Sequence, residues 1–205
     1  MAYFPLFVEL EKKPCLIVGG GTVALRKAEG LLCCGARLTV VAPAFAPGWD
    51  ALAGRAALLR RVFCPADADG QMLVIAAADD TAVNAAVAAQ CRAARIPVNT
   101  VDDPEHCTFL FPALVRRGAL CVGISTGGAS PTAAAYVRRR IEAALPEDDA
   151  WEGILAFLAA QRPHIQACVP SAPARARIFA ALFEACMARG GPLDAQEVQA
   201  FLPRA

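Results

Sequence analysis

Two stretches of this 205-residue chain combine residue types and spacings that suit a definite chemistry. The first is Leu16-Ile17-Val18-Gly19-Gly20-Gly21-Thr22-Val23-Ala24. It fits G-x-G-x-x-G/A, with Gly19 and Gly21 as the first two glycines and Ala24 in the third place. In such a turn the first glycine makes the bend, the second lets backbone approach a pyrophosphate, and the small third residue lets helix pack on strand. The helix behind it offers unpaired N–H groups and a partial positive charge to the phosphates. A glycine-rich turn can be merely a turn. Here a strand-like run precedes it and a helical pattern follows, which favours a dinucleotide site.

The second stretch is Asn99-Thr100-Val101-Asp102-Asp103-Pro104. A carboxylate just past a strand end could take a proton as a hydride leaves carbon for a nicotinamide. The plainer alternative is an Asp-Pro turn, and residue types alone leave the two readings level. Ser125-Thr126-Gly127-Gly128 could hold a carboxylate on backbone N–H groups, or only cap a helix. His106 lies near Asp102 and could assist a proton or a metal, although a lone loop histidine is a weak signal. The acid expected about 20 residues after the glycines, which would hold a ribose hydroxyl, is replaced by Val40-Val41-Ala42-Pro43-Ala44. No arginine follows directly, so NAD and NADP stay equally open on these grounds.

Alternating elements must position these residues. Strands are predicted over Cys15–Val18, Arg37–Ala42, Ala57–Phe63, Met72–Ala77 and Ile96–Val101, with helices over Thr22–Cys34 and from Thr81 to about Ala94. Strands alternating with helices imply βαβ units and a parallel sheet. After residue 107 the pattern changes. Thr108–Val115 and Leu120–Ser125 read as a hairpin turning at Arg116-Arg117-Gly118. Ser130-Pro131 then opens a helix to about Leu145. Trp151–Gln161, Pro173–Arg189 and Asp194–Leu202 read as helices. The expected architecture is an α/β, Rossmann-type nucleotide domain over 1–112, a small α+β dimerisation segment over 113–147 and a helical tail over 148–205.

Composition narrows the function classes. Twenty basic and nineteen acidic residues give a net charge of +1, which argues against nucleic acid as the default partner. Mean hydropathy is +0.43, but 46 alanines supply much of it. The apolar runs fall well short of the ~20 residues a spanning helix needs. With no signal-peptide pattern at the N-terminus, no membrane association and a cytoplasmic location are expected. Nine cysteines and two histidines form no C-x-x-C or zinc-spaced set, so no metal is expected and the thiols read as reduced core residues.

Taken together, FPLFVEL (Phe4–Leu10), CLIVGGGTVALRKA (Cys15–Ala28), GARLTVVAP (Gly35–Pro43), AAADDTAVN (Ala76–Asn84), NTVDDP (Asn99–Pro104) and STGGASP (Ser125–Pro131) resemble the precorrin-2 dehydrogenase domain of siroheme synthases, in order and spacing over about the first 145 residues. The resemblance implies oxidation of the tetrapyrrole precorrin-2 to sirohydrochlorin with NAD, in a homodimer. It implies cofactor contacts at Thr22, Val23, Pro43 and Ala44 beside the glycines, and a catalytic role for Asp102, with Asp103 at a variable position. The residues themselves offer Ser125, Thr126 and His106 as substrate-side candidates. Thr126 stands where some members carry a phosphorylated serine. A methyltransferase domain, present in trifunctional members, is not expected, so precorrin-2 would come from another protein. Two other readings remain: a bifunctional dehydrogenase and ferrochelatase, and a non-catalytic redox-sensing dinucleotide module.

Overall fold

A computed structural model describes residues 3–145 and 148–202. Five parallel strands, β1 (Pro14–Val18), β2 (Arg37–Ala42), β3 (Ala56–Arg60), β4 (Leu73–Ala76) and β5 (Val98–Thr100), form one sheet in the order β3-β2-β1-β4-β5. The connection after β1 runs to one side and that after β3 returns past it, so the strand order reverses between β1 and β4. Open sheets of this kind take ligands at that point, beyond the carboxyl ends of the strands.

Helix α1 (Thr22–Cys33) covers one face and α2 (Thr81–Ala93) the other. Alternation along the strands explains how. Cys15 and Ile17 join Ala24, Ala28 and Leu31 of α1, whereas Leu16 and Val18 join Val87, Ala88 and Cys91 of α2. All four residues of β4 are buried, as expected for a strand covered on both faces.

These elements, with residues 125–130, make one compact unit, comprising 3–112 and 125–130. The second unit comprises 113–124 and the described part of 131–202. It holds the antiparallel pair β6 (Ala113–Arg117) and β7 (Leu120–Ile124), then α3 (Pro131–Ala144), α4 (Asp148–Cys168), α5 (Ala172–Arg189) and α6 (Ala195–Gln199). Ile165, Val169, Leu182 and Val198 form the core of its three last helices. Asp194 caps α6 by accepting from Gln196 N and Glu197 N, both at 2.9 Å.

Several expected elements differ in extent; the fifth strand, expected over Ile96–Val101, spans Val98–Thr100, and the last helix, expected over Asp194–Leu202, spans Ala195–Gln199. The third strand ends at Arg60, not Phe63, because Arg61 turns out to grip Asp67 through both guanidinium nitrogens at 2.8 and 2.6 Å. The hairpin turns at Gly118-Ala119, with Arg117 opposite Leu120, so Arg116 and Arg117 lie in β6. Residues 108–112 stay outside that strand, since Thr108 is tied to Val98 on the edge of β5. The helix expected to stop at Gln161 continues through Pro163 to Cys168. Pro163 is exposed, so its missing N–H leaves no buried gap.

The Arg61 grip, reinforced by Cys64 N at 2.9 Å, holds the Asp67 carboxyl down to about 2. Unfolded, an aspartate titrates near ~3.9. The pair therefore adds stability that is complete above that value and fades as pH falls towards the folded value. Arg61→Ala is expected to lower the urea midpoint at neutral pH, with the gap to the parent closing as pH approaches about 2. An equal gap at both ends of that range would refute the assignment.

Candidate active site

Close packing of three strand ends shapes the glycine turn. Gly19 has φ +129°, and a Cβ there would lie 2.1 Å from the Ala77 carbonyl oxygen at the end of β4. At Gly20 a Cβ would lie 2.0 Å from the carbonyl oxygen of Ala44, in the loop after β2. Neither position accepts a side chain. The Gly20 carbonyl accepts from Trp49 Nε1 at 2.7 Å and from Ala46 N at 2.8 Å, which latches the loop after β2 onto the turn. Trp49 is buried and meets Phe45 edge to face.

Gly21 is different. The nearest atom to a Cβ there is Asp79 Oδ1 at 3.9 Å, so the chain itself leaves that space open. Gly21 is the N-cap of α1, no side chain caps the helix, and its first turn holds no acid. Uncapped N–H groups at an acid-free helix start, beside an open glycine, are the donor set a dinucleotide's phosphates require. The residues present fit such a group. Thr22 is exposed and Val23 half-buried, while Pro43 and Ala44 are exposed at the end of β2.

The opposite wall follows β4. Asn84 of α2, 6% exposed, closes a two-way clamp on Ala78: its Oδ1 accepts from Ala78 N and its Nδ2 donates to Ala78 O, both at 2.9 Å. Asp80 caps α2 through Ala82 N. Asp79 is thereby left exposed beside Gly21.

The two adjacent carboxylates divide their tasks. Asp103 caps the short turn Pro104–His106 and its Oδ2 lies 2.6 Å from His106 Nδ1, so it does the turn chemistry and occupies His106. Asp102 is exposed and, among the described residues, makes no hydrogen bond through its carboxylate. Its backbone is left-handed, with φ +57°. Val101 N donates to Ala76 O, which sets Asp102 one residue past the β4 end that also abuts Gly19.

Ser125 and Thr126 are engaged locally. Ser125 Oγ accepts from Gly127 N at 3.1 Å, and Thr126 Oγ1 exchanges two bonds with the Ser130 backbone at 3.1 Å. They belong to the same compact unit as Asp102 and the glycine turn.

Several contributors had no role assigned from the sequence, although Lys27 and Asn84 lie in the motifs quoted above. Trp49 and Asn84 act on backbone groups, and Lys27 of α1 donates to Asn99 Oδ1 at 2.9 Å with its ammonium 4.5 Å from the Phe111 ring centre. Burial lowers the Lys27 pKa, opposed by the nearby Cys107 and Asp102. Arg60 stacks 5.1 Å over Phe45 because parallel register sets it opposite Ala42, which brings a cation near the end of β2 that the sequence order conceals. Helical spacing alone pointed to none of these. Among the described residues no group of three His, Cys, Asp or Glu side chains is arranged to hold a metal, and no helix is long and apolar enough to cross a membrane.

Comparison with known proteins bears on this geometry. Residues 6–113 match the family described as "Putative NAD(P)-binding", and residues 117–144 match the "Sirohaem biosynthesis protein central" family. The chain is 42% identical over 186 residues to the siroheme synthase of Thioalkalivibrio sulfidiphilus, covering 90% of this chain and 38% of that protein. It is 47% identical over 178 residues to the siroheme synthase of Methylococcus capsulatus, covering 85% of this chain and 37% of that protein. The chain thus spans little more than a third of the length of these relatives. The solved structure of SirC, a precorrin-2 dehydrogenase, shares the fold with a TM-score of 0.67 and 24% identity, over 97% of this chain and 96% of SirC. With an open glycine turn inside a family match over more than half of its length, the chain belongs to the "Putative NAD(P)-binding" family, in the form found in siroheme synthases.

Proposed function

We propose that this chain oxidises precorrin-2 to sirohydrochlorin, with NAD accepting the hydride and Asp102 accepting the accompanying proton. The observation that carries the reading is the division between neighbouring carboxylates: Asp103 is consumed by its turn, whereas Asp102 stands exposed beyond β5. The oxidation removes one hydride and one proton from the substrate, so a base must complement the hydride acceptor. A bound nicotinamide supplies that acceptor. Gly21, Thr22 and Val23 would hold the phosphates through backbone N–H groups and close approach, beside the turn made by Gly19, whose own N–H donates to Val41 O at 2.9 Å, and Pro43 and Ala44 would border the cofactor beyond β2. Ser125, Thr126 and His106 belong to the substrate side.

The enzyme works as a cytoplasmic homodimer, with 113–147 and the helical tail building the subunit contact. Apolar side chains open to solvent on α3 support this reading: Tyr136 and Val137 are 56% and 41% exposed.

Two substitutions test separate halves of the reading. In an anaerobic assay with precorrin-2 and NAD, Asp102→Asn is expected to lower kcat by ~10²-fold or more while leaving NAD affinity within about twofold. Full turnover in that variant, or no NAD-dependent sirohydrochlorin spectrum from the parent, would sink the enzyme reading. Gly21→Asp puts a side chain and a negative charge where the phosphates belong, on a Cβ whose nearest neighbour is Asp79 Oδ1 at 3.9 Å. Its melting temperature should match the parent, and NAD affinity by calorimetry should fall at least ~10-fold, a loss of about 1.4 kcal/mol. Retained affinity would show the phosphates bind elsewhere.

A further inference from the structure

The loop from Val101 to Cys107 carries Asp102, and a chain of side-chain bonds holds its two ends together. Asn99, 6% exposed in β5, lies at the centre. Its Oδ1 accepts from Lys27 Nζ at 2.9 Å, while its Nδ2 donates to Phe109 O at 3.1 Å and approaches Cys107 Sγ at 3.4 Å. Both ends of this amide are forced. An ammonium has only donors and a carbonyl only acceptors, so the amide oxygen must face Lys27 and the amide nitrogen must face Phe109.

The same return limb is tied twice more. Cys107 Sγ accepts from Thr100 N at 3.2 Å and lies 3.2 and 3.3 Å from the carbonyl oxygens of Thr100 and Asp103. Thr108 N donates to Val98 O at 2.8 Å. Lys27 thus reaches across 72 residues of sequence to the group that pins the loop.

We propose that Lys27 is a positioning residue for Asp102, acting through Asn99 to fix the closed form of the Val101–Cys107 loop. Its catalytic consequence rests on Asp102 being the proton acceptor, but its effect on the loop does not. With Lys27 as cation, Asn99 is locked in the one orientation that donates to Phe109. Without it the buried amide oxygen has no donor, and the amide can rotate to seek one, releasing the return limb.

Hydrogen exchange on the full chain without cofactor tests the loop directly. In Lys27→Met the protection of the Cys107 and Thr108 amides is expected to fall at least ~10-fold, as local opening becomes easier. Protection at Ile17 and Val40 should not change. Lys27→Arg, which keeps a cationic donor, should restore most of the protection.

Turnover gives the second readout. Lys27→Met should lower kcat by ~10²-fold, the scale of a small misplacement of a reacting group, with NAD affinity preserved. Combining it with Asn99→Leu should cost no more than Asn99→Leu alone, because the two lie on one path. Unchanged exchange at Cys107 and Thr108 in Lys27→Met would overturn the proposal, as would losses in kcat that multiply in the double variant. A parent without precorrin-2 oxidation would overturn the proposed function and leave the exchange result to decide the positioning role.

Discussion

The carbonyl oxygen of Gly20 is the point on which the nucleotide side of the molecule depends. It accepts two donors from the loop after β2, one from the Trp49 indole and one from backbone. The oxygen can be reached only because a missing Cβ lets Ala44 close to within contact. One step earlier, Gly19 makes the same concession to Ala77. With three strand ends drawn together, the chain must leave the sheet over Gly21, and α1 starts with its N–H groups turned to open space. A buried hydrogen bond of this kind contributes only ~1 kcal/mol net. Its geometric effect is larger, since it removes any freedom of the turn to close over its own donors.

On the other side of the reversal point, restraint rather than openness is the theme. Asn84 fixes the segment after β4, and Asn99 with Cys107 fixes the segment after β5. A left-handed aspartate costs about 1–3 kcal/mol, which the surrounding bonds must offset for Asp102 to hold its backbone. The short-range pairing of Asp103 with His106 contributes to that restraint and separates two residues that look alike in the chain.

Local pattern made much of this legible. The glycine motif, the alternating apolar runs and the helix stop after α1 all depend on neighbours within a few positions, so the parallel sheet could be read directly. The limits came from distant partners. Arg61 looked like part of a strand because Asp67 competes for it only once the chain has turned. The roles of Asp102 and Asp103 could not be divided by residue type, since the choice was made by a side chain three places on. Trp49 gave no signal, and Lys27 sits in the glycine-turn motif without its role being readable, for their partners lie 29 and 72 residues away. Cys15 and Cys91 fit the expectation of inert core thiols, with burial raising each pKa to about 11. Cys107 departs from it by bonding to the loop, and Cys33, Cys64 and Cys168 depart from it because they are exposed rather than in the core.

The chain leaves the first unit after residue 112, comes back for 125–130 and leaves again. Each unit is therefore discontinuous in the gene. No single cut yields both intact, and a fragment stopping at 112 forfeits Ser125 and Thr126 along with the hairpin. Any engineering of one unit must therefore carry the other with it.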